Sequence, residues 1–198
     1  MASQIIFICD RSGSMSSIRS DMEPAMNQFI DDQKAMGEKG ATLKMVFFNT
    51  QYSISYDGKL KKAPKFSLDP CGMTALYDAV GHTLGTVEVG DDPLIIIILT
   101  DGYENSSREW TKKGVFDLIQ RLDANDNVSI TYLGANQDAM QVGHDIGVSV
   151  DSTLDYGVSV QEIQAANAAM TTNVLRARDG GTIAYSEGDR AASKRSSE

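Results

Sequence analysis

The segment Asp10-Arg11-Ser12-Gly13-Ser14 places oxygen-bearing side chains at alternate positions, directly after the apolar residues 5–9. An aspartate and two serines in this pattern can form a turn, a phosphate-binding loop, a nucleophile or one part of a metal site. For this loop alone, the simplest interpretation is a turn in which the side chains satisfy backbone donors. The loop therefore has to be weighed together with the other oxygen-rich segments of the chain.

Two other segments carry side-chain oxygens of the same kind. Thr74 lies in Gly-Met-Thr-Ala-Leu, at the predicted start of a helix, and Asp101 follows the apolar residues 94–99. A carboxylate at the end of a buried strand needs a cation or hydrogen-bond donors nearby. The three segments together offer two carboxylates and three hydroxyls, a set that suits Mg²⁺ or Mn²⁺ rather than zinc or copper. Two carboxylates balance a divalent charge, and the neutral hydroxyls add ligands without adding repulsion.

The apolar pattern predicts the elements that would position these residues. Strands are expected over 4–9, 42–49, 52–56, 93–100 and 128–134, and helices over about 22–36, 74–87, 113–125, 137–146 and 160–177. Asp21 is the expected N-cap of the first helix, with Pro24 in its first turn. The second and third strands follow each other closely, so we expect them to be antiparallel. Strands that alternate with helices predict an α/β fold with a mostly parallel sheet covered by helices on both faces. Ligands of such sheets bind beyond the carboxyl ends of the strands, where Asp10 and Asp101 lie.

Composition predicts one domain over residues 1–178. From 179 to 198 the chain is rich in Gly, Ser and charged residues, which predicts a flexible tail. The net charge of −9 over 198 residues argues against nucleic acid as a partner. The one basic cluster, formed by Lys59, Lys61, Lys62 and Lys65, is expected on a solvated sheet edge or loop.

Cysteine usage and hydropathy predict a cytoplasmic protein. Cys9 lies in a predicted strand and Cys71 in a turn, so the two do not make a disulfide framework. The N-terminus lacks the pattern of a secretion signal, and the longest apolar run is far too short to cross a bilayer. Neither a membrane nor a nucleic acid is an expected partner.

The three segments resemble the metal-ion-dependent adhesion site of von Willebrand factor A domains. The family pattern Asp-x-Ser-x-Ser is matched by Asp10, Ser12 and Ser14, its threonine by Thr74, and its later aspartate by Asp101. The resemblance covers residues 4–177 in order and spacing. It implies a three-layer α/β/α, Rossmann-like fold with one antiparallel edge strand.

The resemblance also implies a function, namely metal-dependent binding of another protein without catalysis. In this family Ser12, Ser14 and, in the high-affinity state, Thr74 would bind Mg²⁺ or Mn²⁺ directly, whereas Asp10 and Asp101 would act largely through water. A Glu or Asp side chain of the partner would complete the coordination. Intracellular relatives work with AAA+ ATPases and other intracellular proteins. The stretches around residues 101–110 and 132–139 are similar to those of stand-alone bacterial or phage-encoded members.

An alternative from another class is a Mg²⁺-dependent phosphohydrolase with Asp10 as its nucleophile. Such enzymes need a second acid two residues after the nucleophile, and that position is Ser12. No Walker-type phosphate loop is present in the sequence, and neither Ser12 nor Ser14 lies in a Gly-x-Ser-x-Gly nucleophile elbow. The sequence therefore favours a binding module over an enzyme.

Overall fold

The computed structural model describes residues 2–37, 40–135 and 138–194. The strands are β1 (Gln4–Asp10), β2 (Thr42–Phe48), β3 (Tyr52–Lys59), β4 (Leu94–Thr100), β5 (Val128–Ala135) and β6 (Thr153–Tyr156). The helices are α1 (Arg19–Ala35), α2 (Leu76–Gly85), α3 (Lys112–Asp123), α4 (Ala139–Asp145), α5 (Val160–Arg178) and α6 (Glu187–Ser193). The predicted start of a helix at Gln137 lies outside the described residues.

The six strands form one sheet in the order β3-β2-β1-β4-β5-β6. All neighbouring pairs are parallel except β2 and β3, so β3 is an antiparallel edge strand. The predicted α/β class and the antiparallel pair are confirmed. Strand β6 was not predicted, because its sequence Thr-Leu-Asp-Tyr is too short to show a strand pattern.

Helices cover both faces of the sheet and produce two separate cores. In β1, Ile5, Phe7 and Cys9 face the core beneath α1 and α5, and the alternating Ile6 and Ile8 face the core beneath α2 and α3. Strand β4 is buried along its whole length, as a run of seven apolar or small residues covered on both faces requires. This arrangement confirms the three-layer α/β/α architecture.

Two helix starts differ from the sequence prediction. Helix α1 begins at Arg19, with Ile18 as its N-cap, because the 3₁₀ segment Gly13–Ser17 leads directly into it. Asp21 and Pro24 consequently lie inside the helix rather than at its cap. Helix α2 begins at Leu76, so Thr74 stays in the loop and is free of a capping role.

The chain folds onto the domain beyond the predicted boundary at residue 178. Ile183 and Tyr185 are buried, and the Tyr185 hydroxyl lies 2.8 Å from Thr131 Oγ1. From α6, Arg190 donates a 2.7 Å hydrogen bond to the Thr153 carbonyl, and Ser193 Oγ donates one of 2.7 Å to the Asp155 carbonyl. Residues 183–194 therefore contact β5 and β6 in a segment where composition predicts a flexible tail. Two apolar residues and a set of long-range polar contacts hold this segment, which local composition does not reveal.

Ala2, the first residue that the structure describes, lies at the amino end of the sheet. The Ala2 amide donates a 3.0 Å hydrogen bond to Asp92 Oδ1, in the loop that precedes β4, and the Gln4 amide donates to the Pro93 carbonyl at 2.8 Å. Helices long and apolar enough to span a bilayer are absent from the described part of the chain.

Candidate metal centre

Asp10 and Asp101 meet because the strands that carry them are neighbours. Strands β1 and β4 pair in parallel, with Cys9 opposite Leu99, so both aspartates emerge at the same edge of the sheet. Between them, Thr100 Oγ1 donates a 2.6 Å hydrogen bond to Asp10 Oδ2 and accepts one of 3.1 Å from the Gly102 amide. Thr100 was not singled out in the sequence, although it stands directly before Asp101.

The two serines connect the aspartates. The Ser12 amide donates to Asp10 Oδ1 at 2.6 Å, and the hydroxyls of Ser12 and Ser14 lie 3.0 Å apart. Ser14 Oγ then donates a 2.6 Å hydrogen bond to Asp101 Oδ1. The two hydroxyls are therefore close to each other, and that of Ser14 faces Asp101.

Thr74 completes the group from a third loop. A Cβ atom placed on Gly102 would lie 3.2 Å from Thr74 Oγ1, 3.5 Å from Ser14 Oγ and 3.9 Å from Asp10 Oδ2. These oxygens therefore surround Gly102, and the absence of a side chain there keeps the space among them open. The backbone of Thr74 is held by Asn105, whose Oδ1 accepts from the Thr74 amide at 2.9 Å and whose amide donates to the Thr74 carbonyl at 3.0 Å.

Backbone hydrogen bonds join the first loop to the second. The Gly13 amide donates to the Gly72 carbonyl at 3.1 Å, and the Cys71 amide donates to the Arg11 carbonyl at 2.9 Å. Gly72 adopts a φ of +77°, which L side chains rarely take. Cys71 is exposed beside this junction, and Asn49 Nδ2 lies 3.3 Å from its Sγ.

The loop after Asp101 is tied to α2 by two carboxylates that sequence analysis missed. Glu104 accepts hydrogen bonds from the Tyr77 amide at 3.0 Å and from the Ser107 hydroxyl at 2.7 Å. Asp78, on α2, accepts from three successive backbone amides that end at Trp110. Several backbone donors of this kind lower the pKa of the Asp78 carboxyl against the opposing effect of burial. No local pattern identifies the partners on either side of α2, because the hydrogen bonds that Glu104 accepts from Tyr77 and that Asp78 accepts join residues 27 to 32 positions apart.

The two aspartates of the site are buried. Asp10 is fully buried, and this desolvation raises the pKa of Asp10 to about 6, against hydrogen bonds from Thr100 and Ser12 that lower it. Burial also raises the pKa of Asp101. Neither carboxylate forms a salt bridge within the described residues. Two buried carboxylates with no positive partner are the electrostatic condition that a bound cation would relieve.

The donor set fits a hard divalent cation. The described residues contain no group of three or more His, Cys, Asp or Glu side chains that could hold a metal. A metal at this edge of the sheet would therefore depend on the hydroxyls of Ser12, Ser14 and Thr74 as well as on the carboxylates of Asp10 and Asp101. Hydroxyl and carboxylate oxygens suit Mg²⁺ and Mn²⁺.

The indole ring of Trp110, in the loop after Asp101, packs directly against Gly81 of α2. The indole ring lies so close to Gly81 that a Cβ there would overlap it. We expect Gly81→Ala to lower the free energy of unfolding by about 1–2 kcal/mol, because the cost of overpacking exceeds the gain in helix propensity. Urea denaturation of the metal-free protein measures this difference.

Gly85→Ala is the matched control, one turn further along α2. A Cβ there would lie 3.3 Å from the rim of the same indole ring. It should be neutral or slightly stabilising through helix propensity. Equal stability of the two variants would show that Trp110 does not pack against Gly81.

Comparison with known proteins identifies the fold but no sequence relative. No family model matches the chain, and no curated protein matches it in sequence. The solved structures include proximal thread matrix protein 1 from the mussel byssus, with a zinc-occupied MIDAS motif (18% identity, TM-score 0.62), and a von Willebrand factor type A protein from Catenulispora acidiphila (16% identity, TM-score 0.62). The chain is matched over 86% and 88% of its length, and it spans 45% and 43% of those chains.

A third similar structure is matched over nearly its whole length. It is the von Willebrand factor domain of the pilus tip protein Mfa5 from Porphyromonas gingivalis, at 10% identity and a TM-score of 0.64, covering 88% of this chain and 95% of that one. Identities this low establish the fold alone. The protein therefore has the three-layer, Rossmann-like fold of von Willebrand factor A domains.

Proposed function

We propose that this protein is a metal-dependent protein-interaction module. The observation that carries the proposal is the convergence of Ser12 and Ser14 on two buried carboxylates at one edge of the sheet, neither of which forms a salt bridge within the described residues. In this proposal Asp10, Ser12, Ser14, Thr74 and Asp101 hold one Mg²⁺ or Mn²⁺ ion.

The residue types explain how such a site would bind a partner. The two aspartates balance the charge of the ion. The other three side chains are neutral, so they add ligands without adding negative charge. When bound, the ion supplies an electrophilic position that accepts an oxygen ligand from outside the protein. A Glu or Asp carboxylate of another protein has the charge and the chemistry to occupy that position.

The rim of the site offers apolar contact for the same partner. Met73 and Tyr103 are 49% and 59% exposed, and they stand next to Thr74 and close to Asp101 in the chain. Large apolar side chains around a polar centre are a common composition for a protein-binding surface. We therefore expect an acidic side chain flanked by apolar residues on the partner.

We propose binding without catalysis. Asp10 is held by the Ser12 amide and the Thr100 hydroxyl, and the residue two positions after it is a serine rather than the acid that a phosphohydrolase requires. Both cysteines are free thiols, which favours a reducing compartment and hence the cytoplasm. An AAA+ ATPase or another intracellular protein is the partner class we propose.

The test compares two pairs of serines in the same short segment. Ser12→Ala with Ser14→Ala removes the two hydroxyls that face the carboxylates, whereas Ser16→Ala with Ser17→Ala removes exposed hydroxyls that bond only to local carbonyls. Immobilised parent protein should capture a partner in Mg²⁺ and release it in EDTA. The first double variant should lose at least about tenfold of the captured amount, and the control double variant should lose none.

Three results would contradict the proposal. One is capture that EDTA does not affect, and another is equal loss in both double variants. The third is sustained hydrolysis of a generic phosphate ester that requires Mg²⁺ and disappears in Asp10→Asn, which would establish the enzyme alternative.

A further inference from the structure

The two edge strands of the sheet differ in how the rest of the chain covers them. Strand β6, which has four residues, is covered by α6: its Thr153 carbonyl accepts from Arg190 and its Asp155 carbonyl accepts from Ser193. Strand β3 has eight residues, and within the described part of the chain the backbone of residues 52–55 bonds to no element other than β2. Alternate residues of an edge strand direct their N–H and C=O groups away from the sheet. Strand β3 therefore presents a row of unused backbone donors and acceptors.

The first half of β3 lacks the usual protection of a strand edge. Charged residues and prolines commonly prevent an edge from pairing with another chain. Residues 51–56, Gln-Tyr-Ser-Ile-Ser-Tyr, contain neither, and Tyr52 and Ile54 are 42% and 56% exposed. The charged residues of this strand begin only at Asp57 and continue with Lys59. The exposed and uncharged stretch is thus suited to the addition of another strand.

The two faces of this stretch differ in character. Tyr52 and Ile54 pair with residues of β2 that lie in the core beneath α2, so both project on that face of the sheet. Tyr52 stacks on His82 of α2, with 4.9 Å between the ring centroids, which agrees with this assignment. Ser53 projects on the opposite face. An added strand would therefore meet two large apolar side chains on one face and a hydroxyl on the other.

A second copy of the same stretch fits these faces in one register. Ser55 has no partner in β2, so regular strand geometry ends at Ile54. An antiparallel copy centred on Ser53 puts Tyr52 of each copy opposite Ile54 of the other, on the same face. Pairs of an aromatic with a β-branched residue, and pairs of hydroxyl residues such as Ser53 with Ser53, stabilise antiparallel strands. The paired residues 51–55 carry no charge, so the two copies place no like charges opposite each other.

We infer that two copies of this protein associate through β3, antiparallel about a twofold axis at Ser53, so that their sheets become continuous. Each copy covers the open edge of the other, so the association stops at a dimer. The paired stretch is short, and the dimer is therefore weak and reversible. None of its residues belongs to the proposed metal site, so the inference does not depend on the proposed function.

Sedimentation velocity of the full chain at physiological salt tests the inference. We expect a reversible monomer–dimer equilibrium between about 10 μM and 1 mM protein. Ile54→Lys introduces a charge on both sides of the axis and should weaken dimerisation at least about tenfold. Its side chain is exposed, so the melting temperature of the variant should stay close to that of the parent.

Val158→Lys is the matched control. Val158 is 45% exposed and follows β6, at the opposite edge of the sheet. This variant should dimerise with the dissociation constant of the parent. A monomer throughout the concentration range, species larger than a dimer, or equal weakening in the two lysine variants would overturn the inference.

Two cysteine variants in a Cys71→Ser background test the register. Ser53→Cys places two thiols on residues that oppose each other across the axis, with a Cα separation of about 4.5–5.5 Å that a disulfide can bridge. Mild oxidation should therefore give a covalent dimer. Ser55→Cys is also exposed, but its two copies would lie about 13 Å apart along the strands, too far for a disulfide. Equal cross-linking of the two variants would contradict the inferred pairing.

A last comparison separates this interface from the proposed metal site. Ser12→Ala with Ser14→Ala, and addition of EDTA to the parent, should leave the dissociation constant of the dimer unchanged. Loss of the dimer under either condition would place the interface at the metal site and overturn the inference.

Discussion

Asp10→Asn should abolish the Mg²⁺-dependent rise in melting temperature while leaving the metal-free protein at least as stable as the parent. The parent should gain about 2.7 kcal/mol of stability when Mg²⁺ is present at a hundred times its dissociation constant. The variant should gain almost nothing, because the asparagine amide cannot supply the charge that balances the ion. In metal-free solution the substitution removes a fully buried carboxylate that forms no salt bridge with any residue the structure describes, and this offsets any loss in its hydrogen bonds with Thr100 and Ser12.

Thermal unfolding with and without Mg²⁺ measures both effects. Asp91→Asn is the matched control, because Asp91 is exposed and lies in the loop before β4. The control should keep the full response to Mg²⁺. If the parent itself shows no response, or if Asp10→Asn unfolds readily in metal-free solution, the aspartate has a purely structural role.

Metal-free protein should become more stable as the pH falls from about 7 towards 4.5. Burial raises the pKa of Asp10 from 3.8 to about 6 in the folded protein. Above pH 6 the carboxyl is ionised in both the folded and the unfolded state, and its burial lowers stability. As the pH falls through 6 the folded protein takes up a proton before the unfolded chain does, so stability rises until the unfolded chain is also protonated near pH 4. The full effect corresponds to about 3 kcal/mol.

The contribution of Asp10 is obtained by comparison with Asp10→Asn. Carboxyls whose pKa is lowered by hydrogen bonds, such as Glu23 and Asp78, act in the opposite direction in both proteins and cancel in the difference. Urea denaturation should show the stability of the parent rising relative to the variant by about 2 kcal/mol between pH 7 and 4.5. If the difference in stability between parent and variant does not change with pH, the folded protein stabilises the ionised carboxylate of Asp10 as well as water does. With saturating Mg²⁺ the slope should reverse, since protons then compete with the ion.

The parts of the site that the sequence predicts are those set by local rules. Asp10, Ser12 and Ser14 are close in the chain, and the buried strands β1 and β4 place Asp10 and Asp101 at one edge of the sheet. Thr74 is brought to them by a loop, and the match of three separate loops to one family pattern indicated it. That these five residues hold a metal ion stays a prediction.

The missed features depend on contacts between distant residues. Asn105 and Glu104 position the backbone of the Thr74 loop and the start of α2, but nothing in their local sequence shows which amides they accept from. Strand β6 likewise forms by pairing with β5, and the segment from 183 to 194 is held by contacts with β5 and β6. Neither shows a clear pattern of its own in the sequence. Composition alone does not show the contacts that this segment makes with β5 and β6.

The hydrogen bond between the Ala2 amide and Asp92 sets the direction in which anything joined to that end would leave the molecule. The amino ends of the parallel strands lie on the side away from Asp10 and Asp101, so a tether, a fluorophore or a preceding domain attached before residue 2 would emerge there. Anchoring the protein to a sensor surface through that end would present the oxygen-lined loops outward to solution, whereas attachment through lysines taken at random would hide them in some of the molecules.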